Sequence, residues 1–140
     1  MLSTGLPGVG ESKSEWVEYA GNPVIKSGTS PVSPDTDMAS DPKVFYDAEL
    51  SLWVMFYVCL GASTHGHADT CIAFSRDLLA WDKDERPLFK AGGHPSGIDA
   101  DHAHKVSVIY DAEGVGYMYY TAVSGGNRRG IALLTSVNKN

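Results

Sequence analysis

Residues 46–57 read YDAELSLWVMFY, and residues 110–120 read YDAEGVGYMYY. The quartet Tyr46-Asp47-Ala48-Glu49 thus returns as Tyr110-Asp111-Ala112-Glu113, 64 residues later, and each copy leads into an aromatic, apolar run. The echo extends both ways. Met55-Phe56-Tyr57 is answered by Met118-Tyr119-Tyr120, and Ile72-Ala73 by Ile131-Ala132. Upstream, Trp16 followed by Asn22-Pro23-Val24-Ile25 reappears as Trp81 followed by Arg86-Pro87-Leu88-Phe89. A fixed period of this size marks units that bury their apolar faces against copies of themselves.

Each unit reads as a short antiparallel sheet. Lys43 to Tyr46 is β-prone and Asp47-Ala48-Glu49 is a turn. Leu52 to Leu60 is rich in aromatic and β-branched residues without polar alternation, the mark of a strand covered on both faces. Gly61 to Asp69 is a polar loop, Thr70 to Ser75 a third strand, and Pro87 to Lys90 a short edge strand, where a missing donor is tolerated. The second unit repeats the plan with Val106 to Tyr110, Tyr117 to Val123, a loop at Ser124 to Asn127, and Gly130 to Thr135. No stretch sustains a helical period. Evenly spaced strands with recurring aromatics predict an all-β fold, a β-propeller of four-stranded antiparallel blades; a sandwich would not require the self-similarity. The predicted organisation is a flexible leader over residues 1–15, then a partial propeller over 16–140. That propeller has an outer strand at 16–25, a complete blade at 41–90 and an incomplete blade at 104–136. Two blades do not close a ring, since propellers use about four to eight.

Composition narrows the function classes. Of 140 residues, 43% are hydrophobic and 20% charged, the balance of a folded globular domain. The net charge of −6 and the lack of a basic stripe argue against nucleic acid as a partner. The longest apolar run, Leu52 to Leu60, is too short for a helical membrane span. Met1 to Ser14 is Gly- and Ser-rich without the apolar core of a signal peptide, and the two cysteines, Cys59 and Cys71, fall on neighbouring predicted strands. Without a secretion signal they are expected as a reduced, buried pair, and the chain as cytoplasmic.

Several motifs in order resemble a known group. Asn22-Pro23-Val24-Ile25, Asp41-Pro42-Lys43-Val44, Trp53 to Tyr57, and Ile72-Ala73-Phe74-Ser75-Arg76-Asp77-Leu78 with Trp81 resemble the five-bladed propeller glycosidases, the superfamily of glycoside hydrolase families 43, 32 and 130. In the second unit the resemblance continues through His104 to Tyr110, Met118 to Val123 and Arg129 to Ala132. It implies a central funnel in which carboxylates meet around a sugar, one acting as general acid and one as base or nucleophile. Asp41 matches the Asp of the family's Asp-Pro motif at the start of an innermost strand, and is the candidate base or nucleophile. In the second unit Lys105 and Val106 stand where Asp41 and Pro42 stand in the first. No glutamate is placed for acid catalysis, since Glu49 and Glu113 lie in predicted turns.

Other polar residues are weighed around that funnel. Asp37 is a second rim candidate. Asp99-Ala100-Asp101-His102-Ala103-His104 alternates carboxylates and imidazoles before an innermost strand, and with Lys105 supplies candidate sugar contacts. In extended chain the two aspartates face away from the two histidines, so local chelation of a metal is not expected, and no cofactor is implied. His65 and His67 read as a solvated loop, and Trp16, Trp53 and Trp81 as packing. Nothing selects between roles for Arg128 and Arg129. Three classes remain: a glycoside hydrolase or phosphorylase, a sugar-binding module without the acid, and a propeller fragment without sugar chemistry. Carbohydrate is the expected partner. A homo-oligomer is a further expectation, with the 16–25 strand of one copy completing the last blade of the next.

Overall fold

The computed structural model describes residues 16–28 and 30–136. Two antiparallel sheets account for the predicted units. The first runs β1 (Met38–Asp47), β2 (Leu52–Leu60), β3 (Asp69–Ser75) and β4 (Asp82–Lys83) in that spatial order, and the second β5 (His102–Tyr110), β6 (Gly116–Ser124) and β7 (Arg128–Thr135). A single 3₁₀ turn, Ala62–Thr64, is the sole helical element among the described residues.

The repeated quartet is explained by its turn. The Asp47 carboxylate accepts the Leu50 amide at 2.9 Å, and the Asp111 carboxylate accepts the amides of Glu113 and Val115, both at 2.9 Å. An aspartate that bonds the backbone just ahead of it closes a tight reversal, so the same residue recurs where the same reversal is needed. Those amides hold the Asp111 carboxyl below the usual carboxylate range, the Val115 amide contributing most.

β2 runs through the core. Val54 to Cys59 are all buried, as the unalternating pattern predicts. Its two faces serve different neighbours. Val54 and Phe56 join Ala103, Val106, Tyr120, Ala122 and Ala132 of the second sheet in one cluster, with Phe45, Ile72 and Phe74 packed against it. Met55, Tyr57, Cys59, Cys71 and Ala73 form the other, covered in part by Ile25, Ala39 and Trp81. The blades are also tied at one end by backbone. The Thr70 hydroxyl donates to the Ala103 carbonyl at 2.9 Å, and the Ala103 amide to the Ala68 carbonyl at 2.9 Å.

Three expectations are corrected. Cys59 and Cys71 are bridged by a disulfide, not reduced. They sit close on adjacent strands, with Tyr57 opposite Cys71 and Cys59 opposite Asp69 in the register. The fourth strand is not Pro87 to Lys90. β4 is Asp82–Lys83, paired with Ala73 and Phe74, and the chain returns to β3 in an isolated bridge of Phe89 with Thr70, where the Leu88 amide also donates to the Thr70 carbonyl. Pro87, lacking an amide, lies in the gap between the two contacts. Residues 16–25 form no strand; they carry a turn at Ala20 and Gly21, with Trp16 and Val17 exposed. A strand needs a sheet edge to pair with, and among the described residues this segment pairs with none. The leader expected over residues 1–15 lies outside the described residues. No helix among the described residues is long and apolar enough to cross a membrane.

Candidate functional site

The innermost strands carry the same irregularity at the same place. The β1–β2 register shifts between Ser40 and Lys43, and the β5–β6 register between His104 and Ser107. Within these bulges Asp41 has φ 49° and Lys105 φ 58°, both left-handed. A bulge breaks the pleat and re-aims the side chain of the extra residue. Asp41 and Lys105 are equivalents in the repeat, and they meet: Lys105 Nζ lies 3.5 Å from Asp41 Oδ1. The other carboxylate oxygen, Oδ2, accepts the Ser40 hydroxyl at 2.9 Å. Both side chains stay accessible, 51% exposed for Lys105 and 42% for Asp41.

Histidines line up beside this pair. His102 and His104, two apart on β5, share a face with ring centroids 5.6 Å apart, and His67 adds a third ring 6.4 Å from His102. His102 Nδ1 accepts the Ala68 amide at 2.9 Å, which leaves its Nε2 as the proton-bearing nitrogen of the neutral ring. His67 Nδ1–H donates to the Asp101 carbonyl at 2.7 Å. His104 is buried, and its Nδ1 has no hydrogen-bond partner. Burial, then the neighbouring His102 and Lys105, pushes its pKa below the ordinary histidine value against the opposing pull of Asp41. The lowered value favours the neutral ring near pH 7.

The other candidates separate. Asp99 is 2% exposed and points inward. Its carboxylate accepts the Tyr120 hydroxyl at 3.0 Å and the His94 amide at 3.2 Å. Burial together with that bond pushes the Tyr120 phenol up to about 12. Asp99 thus braces β6 and the loop before β5. Asp101 is half-buried and enters the site by its backbone, donating to the Val123 carbonyl and accepting from His67. Asp37, exposed just before β1, accepts the Thr36 hydroxyl at 3.3 Å. Glu49 and Glu113 are exposed on their turns, as expected.

Two contributors are not evident from sequence. His67 is not loose in a solvated loop but half-buried against His102, while His65 is exposed. Ser40 carries no signal beyond its place next to Asp41. His67 lies just before β3, whose first residue Asp69 is buried, as is Ala68. Asp69 itself accepts the Ala91 amide at 2.7 Å, and burial raises its pKa above the ordinary carboxylate range despite that amide, Lys90, His67 and His102. A carboxyl with a raised folded-state pKa adds stability that is complete below its unfolded value and fades as pH rises through the folded value. Asp69→Asn keeps an acceptor for Ala91 and removes the ionisation. It is expected to raise the melting temperature at pH 7 and leave it nearly unchanged at about pH 3, read by thermal unfolding at both pH values.

Comparison with known proteins then places the chain. The Glycosyl hydrolases family 32 N-terminal domain matches residues 8–100. The chain belongs to that family. Among solved structures, the family 32 chain is 29% identical to the protein in a BT0996–RGII complex, with a TM-score of 0.69 over 89% of this chain and 33% of that one. It is 16% identical to a glycosyl hydrolase from Bacteroides ovatus, with a TM-score of 0.71 over 85% of this chain and 37% of the other. A third match belongs to the GH130 family of mannoside phosphorylases, described as containing glycoside hydrolases that target β-1,2 mannosidic linkages in Candida mannan. There the identity is 19% and the TM-score 0.68, over 85% and 37% of the two chains. The family 32 chain thus spans about a third of the length of these structures. Its two sheets are propeller blades. No curated protein matches it.

Proposed function

We propose that this chain supplies two blades of a carbohydrate-active propeller that acts on the glycosidic bond of an oligosaccharide or glycoside. Asp41 is its carboxylate base or nucleophile, and His102 and His104 are contacts for sugar hydroxyls. The observation that carries this reading is the meeting of Asp41 and Lys105 across two blades, each presented by the matching bulge of an innermost strand and each accessible. Family membership and the glycosidases and phosphorylases among its structural relatives support the same chemistry. Hydrolysis needs a carboxylate of this kind on one side of the anomeric carbon and an acid at the leaving oxygen.

The test is a panel of 4-nitrophenyl glycosides, whose phenolate leaves without help from an acid. The expected result is release of nitrophenol from at least one sugar, rising when phosphate is added if the acceptor is phosphate. The exposed turn positions of Glu49 and Glu113 favour a second reading, a module that binds sugar without cleaving it. Saturable binding with no nitrophenol released selects that module, and neither binding nor release contradicts both.

Self-association belongs to the same proposal. Phe45, Phe56, Ile72 and Phe74 pack against the second blade, whereas their repeat equivalents Ile109, Tyr119, Ile131 and Leu133 are exposed, at 58%, 41%, 75% and 44%. Among the described residues β7 pairs with β6 alone, so its other edge offers residues 16–25 of another copy the strand partner they lack within one chain. We expect light scattering on a sizing column to report a dimer or trimer, and deletion of residues 1–25 to return it to monomer. An unchanged mass after deletion contradicts strand exchange.

A further inference from the structure

We propose that Lys105 is a positioning residue for Asp41, its ammonium fixing the Asp41 carboxylate in one side-chain rotamer. The significance of this role rests on the reading of Asp41 as the functional carboxylate; the geometry that supports it does not.

Three observations converge. The first is the backbone at Lys105. Aspartate enters the left-handed region readily because its short polar side chain bonds nearby backbone, but lysine has no such local partner. Lys105 nonetheless adopts φ 58° at the bulge of β5, matching φ 49° at Asp41 in β1. The direction it gives the side chain, toward Asp41, is what the conformation achieves. The second is the division of the carboxylate between two blades. Ser40, on the same strand as Asp41, holds Oδ2 at 2.9 Å, and Lys105, on the other blade, stands 3.5 Å from Oδ1. One contact from a neighbour on the same strand leaves the side chain free to turn about χ1 as well as χ2, whereas a second from the other blade selects the χ1 rotamer that points toward Lys105. The third is exposure. With both partners about half exposed, water screens the attraction, and such pairs contribute little to stability. Loss of the pair is therefore to be read in the orientation of the carboxylate and not in the melting temperature, and an oriented carboxylate is what attack at an anomeric carbon requires.

The experiment uses the full chain labelled with ¹³C and ¹⁵N, and reads the three-bond couplings from the Asp41 backbone nitrogen and carbonyl carbon to its Cγ. Wild type and Lys105→Arg are expected to report one χ1 rotamer, and Lys105→Met averaging over several, with all three melting at nearly the same temperature. Affinity for a bound oligosaccharide is expected to fall about two- to five-fold in Lys105→Met and to recover in Lys105→Arg. Couplings in Lys105→Met that still report one rotamer overturn the proposal, since Ser40 alone would then be sufficient. The couplings need no sugar, so they decide the role of Lys105 even if no carbohydrate binds and the functional reading fails.

Discussion

Asp35→Ala is expected to lower the unfolding free energy by about 3–5 kcal/mol, the range for removing one partner of a buried ion pair. Asp35 is 1% exposed and gathers three donors. Lys83 Nζ approaches Oδ2 at 2.8 Å, the Tyr57 hydroxyl donates to the same oxygen at 3.3 Å, and the Gly28 amide donates to Oδ1 at 3.0 Å. Lys83 also donates to the Lys26 carbonyl at 2.9 Å. One carboxylate therefore joins the segment before β1, the middle of β2 and the short edge strand β4. Its removal strands the Tyr57 hydroxyl in the core and leaves Lys83, only 28% exposed, without its counter-charge. Burial, followed by the neighbouring Asp35, already raises the Tyr57 phenol well above the tyrosine range, so ionisation of the phenol offers no relief. Urea unfolding followed by tryptophan fluorescence measures the change. A loss under about 0.5 kcal/mol, the scale of an ordinary surface substitution, would mean the network is not held as described.

Asp41→Asn is expected to cut turnover of a cleaved nitrophenyl glycoside by about 10²–10⁴-fold, the usual contribution of a general base. The melting temperature should barely move. Asparagine shares the tolerance of aspartate for the left-handed backbone at this position, and its carbonyl oxygen can still accept from Ser40. It loses the negative charge, and with it the ion pair to Lys105, an exposed contact of small worth. A large fall in stability with turnover preserved would show instead that Asp41 serves the turn before Pro42.

Much of the fold is legible in the sequence because it is local and repeated. The quartet at Tyr46 and Tyr110 encodes a turn through its aspartate, and six buried residues in succession on β2 follow from an apolar run with no polar face. The sequence is a poor guide where a partner far along the chain decides. Residues 16–25 have strand-like composition, yet a strand exists only against an edge. Compartment is a poor guide to Cys59 and Cys71, whose fate turns on the register of β2 against β3. Asp35 reads as plain loop, because its partner Lys83 lies 48 residues away. In the site, the repeat offset aligns Asp41 with Lys105 and so removes a carboxylate from the second blade. That these equivalents touch requires two matching bulges, which no composition reveals. Asp99 looks as exposed as Asp101 in the sequence, and only Tyr120 and His94 turn it inward.

In the proposed function, the wall formed by Asp41, Lys105, His102 and His104 receives carbohydrate. The most direct test is to titrate ¹⁵N-labelled chain with a set of oligosaccharides and follow every backbone amide. Saturable shifts confined to these residues and their neighbours His67 and Ala103, lost in Asp41→Asn, are the predicted result. Shifts gathered instead in the apolar cleft between Pro23 to Ile25 and Met55, or none with any sugar, would contradict it.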